Sequence, residues 1–265
     1  GREAHVRQEL ASAILRVGRI TSAAGSKPEA IAAFEQALAA FEELVNEHPE
    51  SAQYRGDLAL AHRSLGVLEG ERRRFDKARE HLDQALEIER RLIAEQPGKA
   101  ECQYDLAETW RALGDVQLQQ SLHGAAIGSF EKGAELAKKL LQAADSTVAY
   151  RRCLSRCDRG LSAAHLARGQ LAEALAAALE DKRLWRGEPH ELFAAACVLA
   201  RCAAAGKEAK LARQAALETK QTLAEAVAAG FHDRKQFEGQ PQFAAVLSQA
   251  DYRAVLERFD AASSP

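Results

Sequence analysis

The chain has 265 residues, 47% hydrophobic and 28% charged, with a formal net charge of −2. That is enough apolar material for a buried core, and it lacks the cationic surplus that binds nucleic acid by neutralising phosphates. No run of about 18 apolar residues occurs, so no membrane insertion by this chain is expected, and Gly1-Arg2-Glu3 does not begin a signal-peptide pattern.

Ala, Leu, Glu and Arg dominate and Pro is rare (6), a composition of long helices. Met is absent, even from the first position, and Gly1 suggests an excised boundary, so the chain is expected to be a fragment of a longer protein. Slid against itself by about 48 residues, the sequence repeats. Leu10, Leu58, Leu106 and Leu154 fall in one column, and Val17, Leu65, Leu113 and Leu161 in another. Gly18, Gly66, Gly114 and Ser162 follow at once. Ala30, Ala78, Ala126 and Ala174 form a fourth column, with Phe34, Leu82, Phe130 and Ala178 four residues on.

Within a unit the apolar spacing is helical: Leu58, Ala61, His62 and Leu65 follow i, i+3, i+4, i+7, as do Leu106, Thr109, Trp110 and Leu113. Each unit therefore predicts two long helices. The first pair breaks at Gly25–Glu29, where Ser26 and Glu29 have capping-box spacing and Pro28 suits a first turn. Pro49 and Pro97 close the second helices of the first two units. Gly66 and Ala78 are small where paired helices must approach closely. From about Leu171 the match decays, Asp181 and Lys182 standing in columns that are small or apolar earlier. A diverged fifth pair is expected over 191–205 and 208–229, then short capping helices to Asp260. The domain reading is thus four helix pairs over 4–189, a fifth over 190–230 and a cap over 231–260.

Trp110-x2-Leu113-Gly114 and Ala126-x3-Phe130 resemble the tetratricopeptide signature, as do Leu65-Gly66 and Ala78-x3-Leu82-x2-Ala85 with His62 in place of the Trp. The resemblance runs from residue 4 to about 180, with a longer unit than usual and Glu69 and Gln117 at the Tyr position. It implies an all-α, right-handed superhelical solenoid of antiparallel helix pairs with a short helical C-terminal cap. More narrowly, Tyr54 through Gly66, the stretch Ala226 through Phe231 and the stretch Asp251 through Leu256 resemble the C-terminal repeat regions of planctomycete-type bacterial serine/threonine kinases. That implies a cytoplasmic fragment of a signalling protein whose parent is membrane-anchored in some arrangements. No Gly-rich loop, His-Arg-Asp or Asp-Phe-Gly motif is present, so no kinase activity belongs to these residues.

No phosphate loop, His-Glu-x-x-His or Gly-x-Ser-x-Gly occurs, so no catalytic residue, metal site or cofactor is assigned. Cys102, Cys153, Cys157, Cys197 and Cys202 are read as buried filler, and the histidines as structural or solvated. One column suggests a site. In tetratricopeptide proteins the residue after the Trp position faces the concave groove, and here it is Leu15, Arg63, Arg111 and Arg159. With Arg19, Arg152 and Tyr104, this ladder would bind a protein or peptide partner that is acidic, C-terminal or phosphorylated. The other reading pairs the arginines with Glu108, Asp115 or Glu71 and leaves the groove merely soluble. At the level of function, a peptide-binding interaction module leads, a structural or oligomerising scaffold is the alternative, and an enzyme comes last.

Overall fold

The structure is a computed structural model that describes residues 2–144, 147–206 and 208–262, the last three as backbone only. Gly1, from which an excised boundary was expected, lies outside them, as do residues 145 and 146 of the 4–189 span and 207 of the 190–230 span. Thirteen helices and no strand occur among the described residues, which is the all-α helical-repeat class expected from the columns. The helices form two compact units, residues 1–153 and 154–265.

The first unit holds α1 (Arg2–Ala23), α2 (Lys27–Glu47), α3 (Ala52–Glu71), α4 (Phe75–Glu95), α5 (Ala100–Gln119), α6 (His123–Ala143) and the start of α7 (Val148–Ala167). Each helix packs on its sequence neighbour, α1 on α2, α3 on α4 and α5 on α6, and α2 and α4 also pack on the next pair. From α2 onward the repeat columns supply core residues: Leu58, Leu65, Leu82, Phe34 and Phe130 are buried, whereas Leu10 and Val17 of α1 are exposed. Each such buried side chain contributes about 1.5–3 kcal/mol by leaving water.

The small columns set how closely the helices approach. A Cβ on Gly66 would lie 2.6 Å from Leu82 Cγ and 3.0 Å from the Ala78 carbonyl oxygen. A Cβ on Gly114 would lie 2.7 Å from the Phe130 ring. Only hydrogen fits there, so α3 meets α4, and α5 meets α6, nearly backbone to side chain.

The turns within the pairs repeat as well. Gly25, Arg73, Ser121 and Gly169 occupy one column, and all four have positive φ, at 95°, 61°, 61° and 74°. Glycine takes that left-handed backbone freely, whereas Arg73 and Ser121 pay a steric penalty of about 1–2 kcal/mol. An ion pair also repeats at this spacing. Arg7 holds Glu47, and one unit later Arg55 makes two hydrogen bonds to Glu95, at 2.7 and 2.5 Å. Both features were missed in the sequence, where the turns look dissimilar and the pairs look like ordinary surface charge.

Capping differs from expectation at α2. Ser26 is the N-cap residue, but its hydroxyl makes no capping hydrogen bond; at ψ 80° its backbone is not extended, and Pro28 has removed one of the amides to be capped. Ser51 does cap α3, accepting from the Tyr54 amide at 3.3 Å. Pro49 and Pro97 each stand two residues beyond the last helical residue, Glu47 and Glu95, as a residue unable to continue the ladder should.

The second unit holds the rest of α7, α8 (Leu171–Arg183), α9 (Pro189–Ala205), α10 (Ala209–Ala228), α11 (Arg234–Glu238), α12 (Pro241–Val246) and α13 (Gln249–Ala262). Helix α8 is cut to 13 residues. The last three helices gather around an aromatic core: Phe193 stacks on Phe231 at 4.1 Å and Phe237 on Phe243 at 5.1 Å, with Phe259 edge-on to both Phe231 and Phe237. Asp233 starts α11 by accepting from the Gln236 amide at 2.9 Å.

Candidate functional site

The arginine column sits on the first helices of the pairs, as the spacing predicts, but its members are occupied. Arg63, on α3, donates through Nη1 to the Asp105 carbonyl at 2.8 Å, to Glu89 at 3.1 Å and to Thr109 at 3.3 Å, and through Nη2 to the Asp105 carboxylate at 2.8 Å. Its side chain is only 12% exposed. The residue therefore ties α3, α4 and α5 together. Arg111 chelates its own helix, donating to Glu108 at 3.0 Å and to Asp115 at 2.5 Å. In the second unit Arg159 donates to Asp181 at 2.7 Å and to Glu191 at 2.9 Å.

Of the three counter-ions named in the sequence, Glu108 and Asp115 serve Arg111, while Glu71 pairs with Lys27 at 3.2 Å. Arg19 and Arg152 are exposed on α1 and α7. Tyr104 is half-buried on α5, its ring 5.5 Å from that of Tyr150.

Glu89 is the residue that the sequence reading overlooked. It is 2% exposed and stands in the column of Phe41 and Ala137, both fully buried. A carboxylate in an apolar column was the available signal. Thr109, in a column of Ala13, Ala61 and Cys157, donates to it at 2.8 Å. Burial pushes the Glu89 carboxyl up to about 7, against the pull of Arg63 and the Thr109 hydroxyl. Its Oε2 is buried without a hydrogen-bond partner.

Glu89 and Leu92 of α4 line an open cavity of about 460 Å³ walled by α3 and α5. From α3 come Gln53, Gly56, Asp57 and Leu60; from α5 and the residue before it come Lys99, Glu101, Tyr104 and Asp105. The cavity is markedly acidic. Lys99 faces Glu101 at 3.5 Å, and Arg63 serves Glu89 and Asp105, which leaves Asp57 with no cation among the described residues: its Oδ2 accepts from the neutral Gln8 amide at 2.9 Å. Burial raises the Asp57 carboxyl, more than the Gln8 amide lowers it, and Glu101 and Asp105 add to the rise.

Asp181 is a second buried acid in an otherwise small column, that of Ala37, Ala85 and Gly133. It accepts from Ser155 at 2.5 Å and from Arg159, while Trp185 donates its indole N–H to Ser155 at 3.1 Å. This closed network holds α7, α8 and the start of α9. His62, at the Trp position, meets His81 at 3.1 Å between the Nδ1 atoms, and burial pushes it down to about 4, with His81 adding to the fall. It is a packed neutral histidine. The five cysteines carry no disulfide.

Among the described residues no group of His, Cys, Asp and Glu is placed to hold a metal ion, and no helix is long and apolar enough to cross a membrane.

The fold and its columns define an all-α helical-repeat protein. Residues 10–50, spanning most of α1 and α2, match the tetratricopeptide repeat family model. Three solved structures are similar in fold. PilF of Pseudomonas aeruginosa is 18% identical with a TM-score of 0.47, over 97% of this chain and 99% of that one. A thermophilic tetratricopeptide protein of Thermus thermophilus is 17% identical with a TM-score of 0.44, over 89% and 98%. BtubC of P. vanneervenii is 13% identical with a TM-score of 0.49, over 87% and 88%. No curated protein matches the chain.

Proposed function

We propose that this chain is a protein–protein interaction module that holds a segment of another protein against the first helices of its repeats. The observation that carries the reading is the open cavity of about 460 Å³ between α3 and α5, with polar and apolar groups on adjoining walls. A rigid wall of stacked helices loses little entropy on binding, and Tyr104, Leu60 and Leu92 offer the apolar contacts a peptide needs.

The resemblance of Tyr54 through Gly66 and of the C-terminal stretches supports a cytoplasmic position behind a bacterial serine/threonine kinase domain, where the module would recruit a substrate or regulator. The acidic segment expected from the arginine column is the weaker charge assignment. Such a guest must take Arg63, Arg111 and Arg159 from the carboxylates that already hold them, and only the exposed Arg19 and Arg152 would meet it directly.

Site-specific photocrosslinking tests the module. A photoreactive residue replacing Gln53, on the cavity rim, should capture a discrete polypeptide in the source cell, and one replacing Lys138, exposed on α6, should not. Equal capture at both positions, or none at 53, refutes the reading.

One observation favours the scaffold alternative. Leu10 and Val17 are 61% and 56% exposed, while their column mates Leu58, Leu106, Leu65 and Leu113 are at most 8% exposed. With Val6 and Ile20 they leave an uncovered stripe on α1, which a second copy of the chain would cover. Sedimentation velocity should then show a concentration-dependent dimer that Leu10→Glu with Val17→Glu abolishes; a monomer at all concentrations removes this alternative.

A further inference from the structure

We propose that the cavity between α3 and α5 takes one cationic side chain, an Arg guanidinium or a Lys ammonium, from the bound segment, so that the segment this module recognises is basic. This rests on the reading that a protein segment binds here, and it reverses the sign expected from the arginine column.

Three observations converge. The first is charge left over. Asp57, Glu89, Glu101 and Asp105 line the cavity, and the cations within reach, Arg63 and Lys99, are already committed to Glu89, Asp105 and Glu101. Asp57 has only an amide donor.

The second is an unsatisfied atom. Glu89 is 2% exposed, lines the cavity, and has a buried Oε2 with no donor. A buried acceptor left unpaired is costly, and a guanidinium or ammonium supplies several donors in a small volume.

The third is room. Gly56 sits inside α3, where glycine weakens a helix, and a Cβ built on it would meet only Leu92 Cδ1, at 3.9 Å. The equivalent position in the next repeat is Tyr104, and since Gly56 and Tyr104 both line the cavity, the missing side chain at 56 leaves cavity space unfilled. Leu60, Leu92 and Tyr104 give the aliphatic stem of Arg or Lys an apolar wall, and the Tyr104 ring adds a face for the charged head. The carboxylates are too dispersed for a metal ion, as no metal-holding group occurs among the described residues. A long organic cation fits that spread.

The test uses the whole chain and two small probes, N-acetyl-arginine amide and its neutral isostere N-acetyl-citrulline amide, followed by amide chemical shifts. Saturable shifts at Gln53, Asp57, Leu60 and Tyr104 with the arginine probe, and none with citrulline, are expected. Asp57→Asn, which keeps its Gln8 contact, should weaken the arginine probe by about tenfold or more, the scale of one charge-assisted hydrogen bond. Gly56→Leu should block it with the charges unchanged, and circular dichroism checks that both variants remain helical. Equal shifts with citrulline, shifts unaffected by both variants, or no shifts at all overturn the proposal.

The photocrosslink at residue 53 separates this from the module reading. A captured segment with no Arg or Lys at the linked site overturns the charge assignment and leaves the module standing. Arginine-probe binding without any captured polypeptide does the reverse.

Discussion

Gly66→Ala should destabilise the protein although alanine is the better helix former. The residue lies inside α3, and removing an interior glycine should by itself stabilise a helix by about 1 kcal/mol. The new Cβ, however, would stand 2.6 Å from Leu82 Cγ and 3.0 Å from the Ala78 carbonyl oxygen, and both partners are fully buried. One is a side-chain branch point and the other is backbone, so neither yields by a rotamer change. Overpacking of this kind costs about 1–3 kcal/mol, and the position belongs at the top of that range. The net loss should be about 1–2 kcal/mol. Gly128→Ala in α6 is the matched control: nothing lies within 4 Å of its added Cβ, so the helix gain of about 1 kcal/mol should be kept. Urea unfolding followed by far-ultraviolet circular dichroism separates the two through their midpoints, provided the slopes agree. Gly66→Ala melting at or above the parent would mean that the helices slide apart at little cost, and the close-approach account would fail.

Three other outcomes follow from the same structure. Ser121→Gly should raise stability by up to about 1 kcal/mol, since φ of 61° is strained for serine, and thermal unfolding would show it; no gain would mean that the turn relaxes without strain. Arg159→Met should cost about 3 kcal/mol by leaving Asp181 buried beside an apolar neighbour, whereas a variant as stable as the parent would return Arg159 to the solvated groove.

The third concerns pH. Glu89 titrates at about 7 in the fold against 4.5 unfolded, so the folded state holds more protons in that window and stability falls as pH rises through it. His62 titrates at about 4 in the fold against 6.5 unfolded, so its contribution is present above 6.5 and is lost as pH falls towards 4. The two slopes oppose each other between 4.5 and 6.5. Glu89→Gln should therefore leave a protein that gains stability with rising pH there, and His62→Gln one that loses it, by at most about 1.4 kcal/mol per pH unit. Identical pH profiles for both variants would refute the assignment.

The helices, their pairing and their ends were written in local pattern. Columns of Leu, Ala and Gly repeating at one spacing report which face of each helix is buried, because similar packing recurs along the repeats; Leu10 and Val17 on α1, exposed in columns that are otherwise buried, are exceptions. Pro49 and Pro97 report helix ends for a reason internal to the chain. The turn column was harder to read: Arg73 and Ser121 accept a left-handed backbone that the glycines at 25 and 169 take freely, and only geometry reveals that the four turns are alike.

Of the residues expected at a site, only Tyr104 lines the candidate cavity, and the acidic character of that cavity was not legible in the sequence. Residue types and spacing put Arg63 and Arg111 on the first helices, yet whether a guanidinium faces solvent or a neighbour depends on side chains far along the chain. Asp105 and Glu89 reach Arg63 across 42 and 26 positions, and no local pattern encodes that meeting. Periodic burial is a local property of each repeat, so the repeating all-α architecture is readable from the residue columns alone. That Arg63, Arg111 and Arg159 pair with carboxylates of the chain itself, and that acids outnumber cations along the cavity, emerges only once the helices are packed. Charge balance belongs to a place in space, assembled here from three helices at once.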